Sequence, residues 1–165
     1  MPASAANSIR LEPQDRVLVI ERMFNAPREL VWDAFTRTDH LINWMGPRNY
    51  PAVSFEADVR PGGKWRGCLR STEGARDLWQ GGKYLEVERP SRLVYTFQWD
   101  KHDEQDETFE TVVTVLLEDQ GNKTLMKFYQ SIFNTAANRN GHVGGWNSSF
   151  SRLDDLLATL ENGHA

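Results

Sequence analysis

The chain lacks the features that mark several large functional classes. Its single cysteine, Cys68, cannot form an internal disulfide, which is typical of proteins kept in a reducing cytoplasm. With 19 basic and 23 acidic residues it has no basic surplus, so no nucleic-acid partner is expected. No segment is apolar enough to span a bilayer, and no Cys/His spacing fits a zinc site. We therefore expect a cytoplasmic protein with no membrane insertion, no metal and no cofactor.

Aromatic residues, in contrast, are abundant. The chain of 165 residues contains 6 Trp, 8 Phe and 4 Tyr, and its length fits one domain with a real core. The indole N–H needs a hydrogen-bond partner when it is buried, so six tryptophans indicate a lined cavity or an unusually aromatic core. Residues 1–15 are rich in Ala, Ser, Asn and Pro and predict a flexible tail, followed by one domain over residues 16–162.

The predicted order of elements is a strand, two helices, six strands and a last helix. Alternation predicts the first strand over Arg16–Phe24, and Asn25-Ala-Pro27 ends it and starts a helix that runs to Thr36. A second short helix ends at Trp44. Period-two patterns predict strands at 52–59, 64–71, 77–88, 92–100, 108–117 and 124–133, with Gly81-Gly82 as a β-bulge. Short turns between strands indicate an antiparallel meander, and hence an α+β fold.

The last helix is predicted over residues 142–160, after a polar connector at 134–141. Its apolar residues recur at spacings of three and four and so share one face: Val143, Trp146, Phe150, Leu153, Leu157 and Leu160. The start of this face is aromatic, and the paired glycines Gly144 and Gly145 remove side-chain bulk beside Trp146. We expect such a helix, laid on a curved sheet, to close a core at one end and leave a hollow at the other.

Several short segments, in this order, resemble one known family. They are residues 25–35 (Asn-Ala-Pro-Arg-Glu-Leu-Val-Trp-Asp-Ala-Phe), Trp44 with Gly46-Pro47, and the segments at 60–65, 82–87, 90–96 and 145–146. The chain is similar to the SRPBCC superfamily of START-like, Bet v 1-like helix-grip domains. Within it, the chain most resembles the Aha-type group, named for the C-terminal domain of activators of a heat-shock chaperone ATPase.

The resemblance implies a fold and a class of activity. The implied fold is a curved seven-stranded antiparallel sheet wrapped around a long C-terminal helix, with two short helices after the first strand and a hydrophobic pocket between sheet and helix. Family members bind lipids, hormones, polyketides and other apolar ligands, and a few catalyse cyclisation or hydrolysis. Chaperone activators of the group carry a further N-terminal domain for which this chain has no room, which argues against a chaperone partner.

Aromatic residues on the predicted strands and helices are the candidate lining of that pocket. Gly67 is added because glycine leaves space that a bulky residue would fill, and Gln130 because its amide could orient a ligand. The candidate ligand-binding residues are Trp44, Trp65, Gly67, Trp79, Phe97, Trp99, Phe128, Gln130, Trp146 and Phe150. The alternative interpretation is that these aromatic rings simply fill the core.

No convincing catalytic group emerges from the sequence. His142 titrates near neutrality and is a candidate acid or base, but a histidine just before a helix is more often solvated. Glu29 and Asp33 share a helix face, which is more typical of a solvated surface than of a carboxylate pair. Cys68 adjoins two arginines that would lower the pKa of its thiol, but a strand cysteine without a chemical role is the more typical interpretation. The acidic run at 100–107 lacks the spacing of a calcium loop.

We therefore expect a protein that binds a small hydrophobic or amphipathic molecule between sheet and C-terminal helix. A polyketide cyclase-like or hydrolase-like enzyme using the same cavity is one alternative, and it needs a titratable group that faces the cavity. A protein-interaction module, such as a chaperone cofactor or stress-response partner, is the other alternative, and it predicts a filled core and an exposed apolar patch. A homodimer is compatible with the sequence but not indicated by it.

Overall fold

A computed structural model describes residues 14–74, 76–101 and 108–163, and for 161–163 the backbone alone. The predicted tail at 1–15 therefore lies mostly outside the described residues. The described residues form a 3-10 turn (Gln14–Arg16) and three α-helices: α1 (Arg28–Thr36), α2 (Thr38–Trp44) and α3 (Ala136–Gly163). The strands are β1 (Leu18–Phe24), β2 (Ala52–Ala57), β3 (Lys64–Arg70), β4 (Asp77–Glu88), β5 (Arg92–Trp99), β6 (Thr111–Gln120) and β7 (Lys123–Ser131).

The seven strands form one antiparallel sheet in the order β1-β7-β6-β5-β4-β3-β2. Strands β2 to β7 follow one another as a meander, and β1 pairs with β7. Helix α3 lies across the concave face, and α1 and α2 pack against it. The α+β class predicted from the element order and the helix-grip fold implied by the family resemblance are confirmed.

The turn between β6 and β7 shows how local sequence sets the register. Gln120 pairs with Lys123, so only Gly121 and Asn122 lie in the turn. Gly121 has φ +79°, a conformation that glycine adopts without steric cost and that a type II′ turn requires at its first central position. The strands on either side alternate buried and half-buried residues, as a sheet with one covered face does.

Helix α3 begins at Ala136, six residues before the predicted start. The Thr135 hydroxyl oxygen accepts a hydrogen bond from the backbone N–H of Asn138 at 3.1 Å and caps the first turn. The added turns carry no apolar periodicity, because they cover a hollow on one side and face solvent on the other. The prediction that residues 134–141 form a non-helical connector is therefore wrong for residues 136–141, which are helical.

The bulge predicted at Gly81-Gly82 is also wrong in position. The register of β4 on β3 runs unbroken through both glycines, and the shift on β5 falls between Tyr84 and Glu86. Gly82 has a different role: a Cβ built there would lie 1.9 Å from the carbonyl oxygen of Thr96. That carbonyl accepts a 3.0 Å hydrogen bond from the Trp65 indole, so strand β5 approaches too closely for any side chain at residue 82.

The core fills the space between the sheet, the two short helices and the C-terminal half of α3. The predicted apolar face of the last helix is confirmed, since Trp146, Phe150, Leu153 and Leu157 are all buried. Phe24 and Phe150 meet edge to face at 6.2 Å, within a continuous cluster of buried apolar side chains. None of the helices in the described part of the chain is long and apolar enough to cross a membrane.

The close approach at Gly82 predicts a position-specific cost of adding a methyl group. Gly82→Ala should lower the free energy of unfolding by roughly 1–3 kcal/mol, because backbone atoms of β5 must shift. Gly144→Ala is the matched control: its Cβ meets open space, and alanine favours the helix by about 1 kcal/mol. Urea denaturation measures both variants, and equal stability of the two would contradict the packing described for Gly82.

Candidate functional site: a cleft beneath the C-terminal helix

A cleft of about 350 Å³ opens between the N-terminal half of α3 and the concave face of the sheet. Its third wall is the loop that joins α2 to β2. The residues that line it are Met45, Gly46, Pro47, Tyr50, Leu69, Leu78, Gln80, Phe97, Trp99, Ala137, Asn138, Gly141, His142, Gly145, Trp146 and Ser149. The hollow expected at the start of the last helix is present in the fold.

The helix wall of the cleft is made of small residues. Ala137, Gly141, Gly145 and Ser149 recur every fourth residue and therefore form one ridge along α3. A Cβ built on Gly141 or Gly145 meets nothing within 4 Å, so both glycines face open space. The cleft exists because this ridge carries no side chain long enough to reach the sheet.

The sheet wall is apolar except for Gln80. Leu69 pairs with Leu78 across β3 and β4, and Gln80 pairs with Trp99 across β4 and β5, which places these side chains on the concave face. Phe97 stands two residues before Trp99 on the same face, and their rings meet edge to face at 5.4 Å. Strand β5 thus presents the two aromatic rings of Phe97 and Trp99 to helix α3.

The loop wall is held in place by Arg152 of α3. Its Nη1 donates to the carbonyl oxygens of Met45 and Gly46, both at 2.8 Å, and its Nη2 donates to the carbonyl oxygen of Asn43 at 2.9 Å. Asn43 lies in the last turn of α2, and Met45 and Gly46 directly follow the helix, so none of these carbonyls has a partner within it. The backbone N–H of Arg48 also donates to the Ser148 hydroxyl at 2.9 Å. The loop is therefore fixed to α3 from both sides of Pro47.

The inner end of the cleft is closed by Trp146. Its indole Nε1 donates to Gln130 Oε1 at 2.7 Å, and Gln130 Nε2 donates to the Thr111 hydroxyl at 2.9 Å. The Trp146 ring stacks on Phe150 at 5.6 Å and packs against Phe128 at 4.6 Å. Fully satisfied buried hydrogen bonds of this kind fix the ring in one orientation.

The structure brings three of the sequence-predicted residues to the cleft: Phe97, Trp99 and Trp146. Trp44, Phe128 and Phe150 lie deeper, fully buried in the core, and the Trp44 indole donates to the carbonyl oxygen of Ala34. The aromatic set is therefore divided between a filled core and a lined cleft.

The other four predicted residues lie elsewhere. Trp65 is buried beyond the inner end and stacks on Phe55 at 5.7 Å. A Cβ on Gly67 would lie 2.9 Å from the Phe55 ring, so that ring already occupies the space beside the glycine. Gln130 is fully buried within its hydrogen-bonded chain. Trp79 is 40% exposed on the opposite face of the sheet.

The outer face around Trp79 is a surface cluster. The Arg66 guanidinium lies 5.0 Å from the Trp79 ring and forms an ion pair with Asp100 at 2.6 Å. Cys68 pairs with Trp79 across the two strands and is buried. Burial raises the pKa of the Cys68 thiol above its ordinary value in spite of the nearby arginines, so the thiolate is disfavoured.

The acidic groups considered in the sequence have structural partners or fall outside the description. Glu29 and Asp33 both pair with the Arg89 guanidinium, each at 2.9 Å, far from the cleft. The acidic run predicted as a loop lies, from residue 102 to 107, outside the described residues. Among the residues that are described, no cluster of three or more potential ligands could hold a metal ion.

His142 lies in the second turn of α3, with both ring nitrogens engaged. Its Nε2 accepts a 2.9 Å hydrogen bond from the Trp99 indole, and its Nδ1 lies 2.7 Å from the carbonyl oxygen of Asn138, to which it donates. This pattern fits only the neutral ring, since a second N–H would oppose the indole donor. Burial lowers the pKa of His142 below its ordinary value of 6.5. The side chain is a wall of the cleft rather than a free base.

Tyr84 and Tyr95 form a cross-strand pair on the concave face, with ring centroids 5.9 Å apart. Both are buried, and burial raises the pKa of each hydroxyl well above its ordinary value. They therefore remain neutral phenols. They border a space of about 10 Å³ behind Trp146 rather than the cleft itself.

Sequence reasoning missed Gln80. Its side chain is 2% exposed and lies on the concave face between Gly67 and Trp99, where it lines the cleft. The signal was present, since residues 78, 80 and 82 share one parity on β4, and Leu78 and Gly82 suit an inward face. A polar residue at an inward-facing position of a strand is unusual, and this feature could have identified Gln80 as a candidate lining residue.

Comparison with known families gives one match over most of the chain. The family described as Activator of Hsp90 ATPase homolog 1-like protein matches residues 25–158. No protein of curated function matches.

Solved structures with the same fold come from several bacteria. A protein from Rhodobacter sphaeroides is 24% identical with a TM-score of 0.74, covering 88% of this chain and 95% of its own. A Nitrosomonas europaea protein is 22% identical with a TM-score of 0.75, covering 91% and 99%. An AHSA1 protein from Silicibacter pomeroyi is 24% identical with a TM-score of 0.75, covering 87% and 98%. At these identities the likeness establishes the fold alone.

The hydrogen bond that closes the inner end predicts a measurable loss of stability. Gln130→Leu should lower the free energy of unfolding by roughly 1–3 kcal/mol, because the Trp146 indole N–H and the Thr111 hydroxyl lose a buried partner. Asn147→Leu, on the exposed side of the same helix, is the control and should change stability little. Chemical denaturation followed by tryptophan fluorescence distinguishes the two variants. A Gln130→Leu variant as stable as wild type would refute the structural role of these hydrogen bonds.

The neutral state of His142 predicts a pH dependence. The folded-state pKa is depressed, so as pH falls below about 6.5 the unfolded chain takes up the proton first. Stability contributed by this residue is full above that pH and falls as pH drops toward the folded-state pKa. His142→Gln keeps an acceptor near the Trp99 indole but does not titrate. Denaturation midpoints at pH 7.5 and 5.5 should fall less in the variant than in wild type, and equal decreases would contradict the assignment.

Proposed function

Because the chain belongs to the Activator of Hsp90 ATPase homolog 1-like family, whose fold here leaves a cleft under the last helix, we propose that it binds a small apolar or amphipathic molecule there. The observation that carries the proposal is the ridge of small residues at Ala137, Gly141, Gly145 and Ser149 facing a wall of aromatic and aliphatic side chains. The volume of about 350 Å³ lies within the range of small-molecule sites.

The lining chemistry supports an uncharged or mainly apolar ligand. The described residues that border the cleft include no aspartate, glutamate, lysine or arginine. Removing apolar ligand surface from water favours binding by about 25 cal/mol per Å², before the cost of ordering the ligand. A charged group would lose its hydration in such a cleft without gaining a partner of opposite sign.

The same chemistry favours binding over catalysis. The titratable side chains at the cleft are His142 and Tyr50, and both His142 nitrogens are already hydrogen-bonded. A general base must reach the proton that it removes, and an imidazole in this arrangement presents no free lone pair to a ligand. The open cleft also argues against the alternative of a protein-interaction module, because that alternative predicted a completely filled interior.

The ridge allows a blocking substitution that spares the core. Gly145→Leu should fill the cleft from the helix side, because its Cβ meets open space and leucine is a better helix former than glycine. We expect it to abolish binding of the uncharged fluorophore N-phenyl-1-naphthylamine, measured by fluorescence titration, while the melting temperature stays equal or rises. Trp146 is a poorer target, since its ring also packs the core.

Gly144→Leu is the matched control for this experiment. Gly144 neighbours Gly145, also meets open space, and is exposed away from the cleft. The control should bind the fluorophore like wild type. Equal binding by both variants, or loss in both, would contradict the proposed site. Native mass spectrometry of freshly purified wild-type protein provides a second readout, through any small molecule that the cleft retains.

A further inference from the structure

The amide of Gln80 is an unusual polar group in this fold. Its side chain is 2% exposed, and no hydrogen bond joins its amide to any residue that the structure describes. No fully buried side-chain nitrogen or oxygen among the described residues lacks a partner, so the Gln80 amide atoms keep a small accessible surface. Its remaining accessible surface faces the cleft that it lines. Buried amides are normally satisfied, and those that are not usually have a functional explanation.

Apart from the Tyr50 hydroxyl, which belongs to a half-buried side chain, the other polar side chains that line the cleft are already hydrogen-bonded. His142 is bonded to the Trp99 indole and to a backbone carbonyl. The Ser149 hydroxyl donates to the carbonyl oxygen of Gly145 at 3.0 Å. The Asn138 amide donates to Asn134 at the exposed mouth. Gln80 is thus the buried side chain of the described lining whose amide can still form hydrogen bonds with a ligand.

We propose, building on the binding function above, that Gln80 selects uncharged, flat, largely apolar ligands that carry a donor and an acceptor side by side, as a lactam or other cis-amide does. A glutamine amide presents one carbonyl acceptor and an N–H donor at the same edge. A lactam pairs with both at once through two parallel hydrogen bonds.

Desolvation gives this pairing its selectivity. Water in the empty cleft can satisfy the Gln80 amide, and a ligand that enters expels that water. A purely apolar ligand strands both the amide N–H and the amide carbonyl, which is costly in a buried site. A carboxylate satisfies the donor but opposes the carbonyl, and no cation among the described lining residues compensates its charge. Of these three kinds of ligand, only a lactam pairs with both the N–H and the carbonyl of the Gln80 amide.

The aromatic surroundings explain the preference for a flat ring. Gln80 pairs across the sheet with Trp99, and Phe97 and Trp146 border the same space with ring centroids 6.2 Å apart. Aromatic side chains favour offset-stacked or edge-to-face contacts with other rings. The ridge at Gly141 and Gly145 leaves space opposite these rings. The donor–acceptor edge of a bicyclic ligand would then face Gln80.

The test compares ligands of one size with different edges. Displacement of N-phenyl-1-naphthylamine measures the affinities of 2-quinolinone, naphthalene and 1-naphthoate for the full chain. We expect wild type to bind 2-quinolinone at least about tenfold more tightly than naphthalene, and 1-naphthoate most weakly. In Gln80→Leu the preference for 2-quinolinone should disappear, while naphthalene binds equally or better. Gln98→Leu, on the next strand and the opposite face, is the control and should keep the wild-type preference.

The outcomes separate the two proposals. Naphthalene and 2-quinolinone binding equally to wild type would overturn the role of Gln80 and leave the cleft as a binding site. A preference that persists in Gln80→Leu would also overturn it. If neither compound displaces the fluorophore, and Gly145→Leu binds the fluorophore normally, both proposals fail. Gln80→Leu removes an amide that has no hydrogen-bond partner among the described residues, so a cooperative melt near the wild-type temperature is expected and confirms that the variant is folded.

Discussion

The hydrogen bond from the Trp146 indole to the Gln130 amide, 2.7 Å long, fixes the last helix against the sheet at one particular depth. On the C-terminal side of this point, phenylalanine and leucine side chains fill the space between the two layers. On its N-terminal side, the helix presents alanine and glycine to the sheet, and the space stays open. One buried pair therefore marks where the core ends and the cleft begins, and Thr111 extends the restraint into strand β6.

A second restraint keeps the cleft from collapsing. The Arg152 guanidinium binds the carbonyl oxygens at the end of α2 and holds the following loop against α3. Without that contact, nothing in the small-residue ridge would support the loop, because Gly141 and Gly145 have no side chains to pack on it. The cost of an unfilled apolar space is thus offset by polar contacts at its edges.

The two buried glutamines of the sheet differ in their hydrogen bonding. Gln130 uses both ends of its amide within the protein and contributes to structure. Gln80 uses neither within the described residues and faces the cleft. A residue type alone does not decide between structure and recognition. The decision depends on whether neighbouring elements supply hydrogen-bond partners, and for Gln80 no described residue does.

The sequence by itself determined the order of elements, the fold class and the apolar face of the last helix, because each follows from local periodicity, caps and turn residues. It also indicated the hollow, through Gly145 beside Trp146. It could not place Trp79 on the outer face, show that Phe55 fills the space at Gly67, or separate Gln80 from Gln130. Those outcomes depend on which strands become neighbours and how closely they approach. Tertiary structure decided them, because the partners of a buried side chain come from residues far away in the chain.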